Sequence, residues 1–80
     1  MTRDYRLFHE RLVRCIDGLA DNPRPDACKK LRVARDNCYR IRIGDLRVVY
    51  QVDDGQAVVL VLVIAHRRDV YSDLRRLLRG

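Results

Sequence analysis

The chain has 80 residues and a formal charge of +6, with 15 arginines and 2 lysines set against 11 acidic side chains. That length makes one domain, residues 1–80, which buries only about two-thirds of its unfolded surface and leaves no room for a second. The charge favours nucleic acid, an anionic membrane surface or an acidic protein as partner, and the preference for arginine adds bidentate phosphate contacts and base stacking.

From about Asp4 to Ala20, Phe8, Leu12, Ile16 and Leu19 recur at helical spacing with Cys15 beside them, and charged residues fill the other side. This predicts an amphipathic helix, capped by Thr2 or Asp4 and stopped at Asp21-Asn22-Pro23. Asn22-Pro23-Arg24-Pro25 is then a stiff connector. Residues Ala27 to Asp36 carry Lys29, Lys30, Arg32 and Arg35, a basic stretch that reads either as loop or as a short strand joining the sheet. The cysteines Cys15, Cys28 and Cys38 are odd in number and lack CxxC spacing, which argues against a disulfide framework or a zinc site. Free thiols point to a reducing cytoplasm. The charged N-terminus has no apolar signal core, and the longest apolar run, Ala57 to Ala65, is too short to span a bilayer.

The segment Cys38 to Tyr50 predicts two alternating strands joined at Gly44-Asp45, a pair suited to a type II′ turn. This register sets Arg42 opposite Arg47, Arg40 opposite Val49 and Tyr39 opposite Tyr50. The apolar side chains then share one face, and Arg40, Arg42 and Arg47 share the other. Like charges directly opposite one another are unfavourable, so the crowding suggests an anion site, although a solvated sheet face has the same composition. Asp54-Gly55 predicts a second two-residue turn, of type I′. The strand after it, Gln56 to Ala65, lacks polar alternation and is expected to be central and covered on both faces. Leu60 and Leu62 then lie opposite Val49 and Arg47, as an apolar floor beside the arginines. The last segment, Asp69 to Arg79, is helix-like and is a candidate to cover that floor. The fold class is α+β: a small antiparallel meander packed against an N-terminal helix, with a C-terminal helix.

His66-Arg67-Arg68-Asp69-Val70-Tyr71 follows the last strand and is expected to lie beside the Gly44-Asp45 turn. His66, Tyr71 and Arg67 or Arg68 would there converge with Arg42 and Arg47. Arginines stabilise a phosphorane, and a tyrosine or histidine moves a proton at a ribose 2′-OH. No carboxylate cluster suited to Mg²⁺ is evident, so a metal-independent route is expected, with no cofactor.

These motifs resemble the RelE branch of the RelE/ParE toxin superfamily. The likeness runs from Ile16-Asp17-Gly18-Leu19-Ala20-Asp21-Asn22-Pro23-Arg24-Pro25 through Lys29-Lys30-Leu31 and Cys38 to Tyr50, and ends with Ile64-Ala65-His66-Arg67-Arg68-Asp69-Val70-Tyr71. It implies a toxin of a type II toxin–antitoxin pair that enters the ribosomal A site and cuts mRNA without metal. The nucleotide's 2′-OH attacks its own 3′ phosphate. Arg40 and Arg42 match the two basic positions of one strand, Arg47 the phosphate-binding arginine of the next, Arg67 the arginine after the last strand, and Tyr71 the C-terminal tyrosine. Lys29, Lys30, Arg32, Arg35, His66 and Arg68 are candidate RNA-binding residues.

Two departures stand out. Some members carry lysine where this chain has Arg40 and Arg42, and arginine is a poor base, so Tyr71 or His66 is left to move the proton. Members also begin with an edge strand and a first helix, for which the residues before this helix offer no counterpart. The implied partners are a cognate antitoxin, the ribosome and mRNA, with no membrane; an exposed sheet edge or helix face would favour a homo-oligomer. The alternatives are a ParE-like inhibitor of DNA gyrase, or a truncated remnant that binds antitoxin or RNA without catalysis.

Overall fold

The computed structural model describes residues 5–33 and 35–79. In chain order the elements are α1 (Tyr5–Asp21), β1 (Lys29–Leu31), β2 (Cys38–Ile43), β3 (Leu46–Asp53), β4 (Val58–His66) and α2 (Val70–Arg79). The strands form one antiparallel meander in the order β1-β2-β3-β4. This is the α+β arrangement expected, and the basic stretch after Pro25 does contribute a short strand. The expected caps Thr2 and Asp4, and the side chain of Phe8, lie outside the described residues. No described helix is long and apolar enough to cross a membrane.

Strand alternation sorts the sheet into two faces. Tyr39, Ile41, Ile43, Val48, Tyr50 and Val52 form one core with Leu19 of α1, and Leu12 and Cys15 pack against it from the same helix. The apolar spacing of α1 therefore does what it predicts. On the opposite face a smaller core joins Val49 to Val70 and Leu74 of α2, flanked by Leu31, Leu62 and Val63. The C-terminal helix thus covers Leu62 but not Leu60, the other residue of the expected floor, which is 51% exposed.

Two tyrosines fasten the connector to the first core. Tyr39 and Tyr50 are cross-strand partners with ring centroids 5.8 Å apart. The Tyr50 hydroxyl donates to the Pro23 carbonyl at 2.8 Å. Arg24 donates from Nε to the Tyr39 hydroxyl at 2.7 Å and from both terminal nitrogens to the Asp54 carboxylate at 3.0 and 2.8 Å. Its guanidinium also lies over the Tyr39 ring, 5.2 Å from the centroid. One side chain therefore ties the proline-rich connector to the β3–β4 loop. The bidentate partner raises the Arg24 pKa and lowers that of Asp54.

Two expectations fail at β4. The strand is not central: among the described residues it is the outer strand of the sheet, and Val58, Leu60 and Ile64 are exposed. The second turn is also longer than two residues. Asp53 pairs with Val58, and Asp54 to Ala57 form the loop between them. Asp53 accepts the Gln56 N–H on its carboxylate at 3.1 Å, and the left-handed residue of the loop is Ala57 (φ 53°), not Gly55. A side-chain-capped turn has replaced the tight one. Val49 consequently pairs with Val63 and Arg47 with Ala65, with a bulge at Leu62 between Val63 and Val61. Leu60 faces Gln51 instead of Val49.

Leu74 is 1% exposed and one of only two buried residues of α2. In urea denaturation, Leu74→Ala is expected to cost roughly 2–4 kcal/mol, and Leu77→Ala, at an exposed position, under about 0.5 kcal/mol. Asp54→Asn should lower the melting temperature at neutral pH. Because the Asp54 pKa is depressed on folding, that contribution is present above the ordinary value of 3.8 and is lost as pH falls through the folded value. The gap in melting temperature between the variant and wild type should therefore close in acid.

Candidate functional site

The β2–β3 hairpin turns at Gly44, whose φ of 58° makes it the left-handed first residue of the turn, as a type II′ geometry requires. The register is the expected one: Arg42 opposite Arg47, Arg40 opposite Val49. Arg47 folds back on the turn, its Nη1 donating to the carbonyls of Gly44 and Leu46, both at 3.0 Å. The Arg67 N–H donates to the Asp45 carbonyl at 2.9 Å, which fastens the end of β4 to the same turn. One two-residue turn thus positions Arg42, Arg47 and Arg67. Partial desolvation, followed by the charges of Arg42, Arg40 and Arg67, holds the Arg47 pKa below its ordinary value. The four guanidiniums share one field.

Arg40 is the most informative of them. It is only 8% exposed, and among the described residues its Nε has no hydrogen-bond partner. Buried charges are normally paired, because desolvation without a partner is costly. The Nε is the enclosed atom, and an anion on this face would give it the partner it lacks.

The remaining sequence candidates divide. Lys29 is the exposed cross-strand partner of Arg40 and so shares its face, whereas Lys30 is paired with Tyr39 and belongs to the other. Arg35 is exposed in the loop before β2, close enough to Cys38 to act on its thiol. His66 does not converge with the arginines. It pairs with Leu46, and alternation puts that pair on the face opposite Arg47. Its Nδ1 accepts the Arg68 N–H at 3.2 Å. Arg68 itself is exposed. Tyr71 is 48% exposed at the start of α2, next to Val70, which packs on Val49.

Sequence reasoning missed Arg75 and Arg79, which line a groove with Tyr71 and Arg32. Their signal is the spacing Tyr71, Arg75, Arg79, one stripe of a helix. Among the described residues, no three His, Cys, Asp or Glu side chains are grouped to hold a metal ion.

The family model described as the ParE toxin of type II toxin–antitoxin system, parDE, matches residues 3–71. The chain belongs to this toxin family. It therefore falls within the RelE/ParE superfamily, and membership implies a cognate antitoxin as partner of the toxin. No curated protein and no solved structure matches the toxin.

If Arg40 of this toxin waits for an anion, removing its charge should relieve the free protein. Arg40→Met is expected to be neutral or up to about 2 kcal/mol more stable in chemical denaturation. Phosphate or sulfate should raise the melting temperature of wild type and leave that of Arg40→Met unmoved. A strongly destabilised Arg40→Met, with no anion effect on wild type, would mean that the guanidinium serves the fold alone.

Proposed function

We propose that this toxin is an endoribonuclease that cleaves mRNA in the ribosomal A site and so stops translation. The observation that carries the reading is the buried Arg40, with its Nε unpartnered, on one sheet face with Arg42, Arg47 and Arg67. Such a face neutralises a phosphodiester and gains most when that phosphate takes on further charge.

In the proposed reaction the ribose 2′-OH attacks the adjacent 3′ phosphorus. The P–O bond to the next nucleotide's 5′ oxygen breaks, leaving a 2′,3′-cyclic phosphate and a 5′-hydroxyl. One proton leaves the 2′-OH and one reaches the departing oxygen, so no external reagent is consumed. Arg40, Arg42 and Arg47 stabilise the pentavalent phosphorane, and Arg67 supports the leaving oxygen. The arginines remain protonated throughout. Tyr71, at the start of the helix over this face, is the residue available to exchange a proton. Lys29 extends the positive field, while the placement of His66 argues against a role in the chemistry. The ribosome as the place of cleavage rests on the resemblance of the motifs to RelE-type toxins.

The second reading is inhibition of DNA gyrase by protein binding, which the parDE description of the matching family favours. The two differ in what is broken. Induced expression with primer extension on a reporter mRNA should show translation-dependent cuts within codons, at least a hundredfold weaker for Arg47→Ala. Intact mRNA together with double-strand DNA breaks would instead establish the gyrase reading. If the arginines hold phosphates, the logarithm of RNA affinity should fall with the logarithm of salt, by roughly 0.7 per contact.

A further inference from the structure

The two edges of the sheet are built differently. β1 is three residues long and carries Lys29 and Lys30, a short charged edge of the kind that discourages pairing with another chain. β4 is nine residues long, and from Val58 to Ala65 every side chain is aliphatic. That run has no charge and no proline, and its one irregularity is the bulge at Leu62. Among the described residues no strand pairs with its outer side, which therefore offers unpaired backbone N–H and C=O groups. Val58, Leu60 and Ile64 are exposed along it. Beside the edge, Leu62, Val63 and Ile64 share a groove of about 500 Å³ with Asp73, Arg76 and Leu77 of α2.

Charge around this edge is polarised. At the start of β4, Asp36, Asp53 and Asp54 border a cavity of about 510 Å³ with Val58 and Leu60. Among the described residues only Asp54 of these three joins an ion pair, with Arg24. At its other end β4 runs into Arg67 and Arg68, both exposed, which outnumber Asp69. Neither arginine joins an ion pair among the described residues.

We propose that β4 is a self-association edge, to which a second copy of this chain adds its own β4, antiparallel, across a two-fold axis. The charges select both occupant and direction. An antiparallel copy sets the acidic end of each strand beside the basic end of the other, whereas a parallel copy sets like against like. The groove is self-complementary in the same way. Asp73 and Arg76, only loosely paired at 4.0 Å, exchange partners across the axis, and Leu77 adds apolar area on the same flank. That area is needed, because a stable dimer buries about 1,200–2,000 Å² and a strand edge alone is narrow. Leu60 and Ala65 lie on the α2 face of the sheet, Val61 and Ile64 on the α1 face. A register with Leu60 opposite the copy's Ala65 and Val61 opposite its Ile64 keeps each face together. The guarded β1 edge stops assembly at two copies. Both arginine faces then lie on one side of a continuous sheet, whatever anion they hold.

The test uses the intact 80-residue chain. Sedimentation velocity from about 1 to 200 µM should show a monomer–dimer equilibrium. Hydrogen exchange read by mass spectrometry should slow in the β4 segment as concentration rises. Leu60→Lys places a charge on the edge and should weaken the dimer at least about tenfold. Arg68→Glu should weaken it about fivefold, and added salt should weaken the wild-type dimer. Both positions are exposed, and far-ultraviolet circular dichroism checks that each variant is folded.

A monomer throughout that range would overturn the proposal. So would a dimer that keeps its affinity in Leu60→Lys with exchange in β4 unchanged, since another surface would then join the copies. Growth into open-ended aggregates would overturn the closed two-fold. A dimer sensitive to Leu60→Lys yet indifferent to salt and to Arg68→Glu would overturn the antiparallel arrangement that the charges select.

Discussion

The pairing of β2 with β3 around Gly44-Asp45 is the constraint on which the basic face depends. Side-chain direction alternates along a strand, so a slip of one residue would carry every arginine into the apolar core. The turn prevents that slip. Gly44 supplies the left-handed backbone, Arg47 bonds the carbonyls of Gly44 and Leu46, and Arg67 reaches the Asp45 carbonyl through its own N–H. The Arg47 guanidinium is therefore held by carbonyls of the turn, Arg67 is anchored to the turn through its backbone, and Arg42 is placed by strand register. Preorganisation of this kind lets an anion bind without first gathering its ligands from solution.

The two faces of the sheet have unequal tasks. The α1 face carries the larger core and the stacked tyrosines, with Tyr50 so enclosed that desolvation, reinforced by Cys28, pushes its pKa well up. The α2 face has a core cluster of only three fully buried residues and must also accommodate Arg40. An Nε enclosed without a partner opposes folding, and the apolar burial on the α1 face offsets that cost.

The hairpin was readable because its signals are local: alternation over a dozen residues and a glycine at the one turn position that needs it. The helices were readable from apolar spacing. β4 was not, since its loop is closed by the Asp53 carboxylate and its register is shifted again by a bulge at Leu62, neither of which alternates in the sequence. That error propagated to the site. Counting along the chain puts His66 near the Gly44 turn, which is correct, but the face on which it lies follows from the true register and is the opposite one. Arg24 and Arg79 were invisible for a different reason. Their significance comes from Asp54 and Arg32, distant in the sequence and brought near only by the folded sheet.

The shared chemistry of the face limits what it does unaided. Four guanidiniums stabilise negative charge, but none readily accepts a proton, since arginine stays charged even where its neighbours push its pKa down. His66 is on the wrong side of the sheet, and the carboxylate that acts on Arg47 is Asp45, in the turn. The four arginines alone are therefore an electrostatic half-site: they would lower the energy of a phosphorane but not begin the reaction. In the proposed cleavage, deprotonation of the 2′-OH falls to Tyr71, to solvent or to the surface on which the RNA is presented. A face so built depends on a second surface to complete its chemistry, and a ribosome would be such a surface.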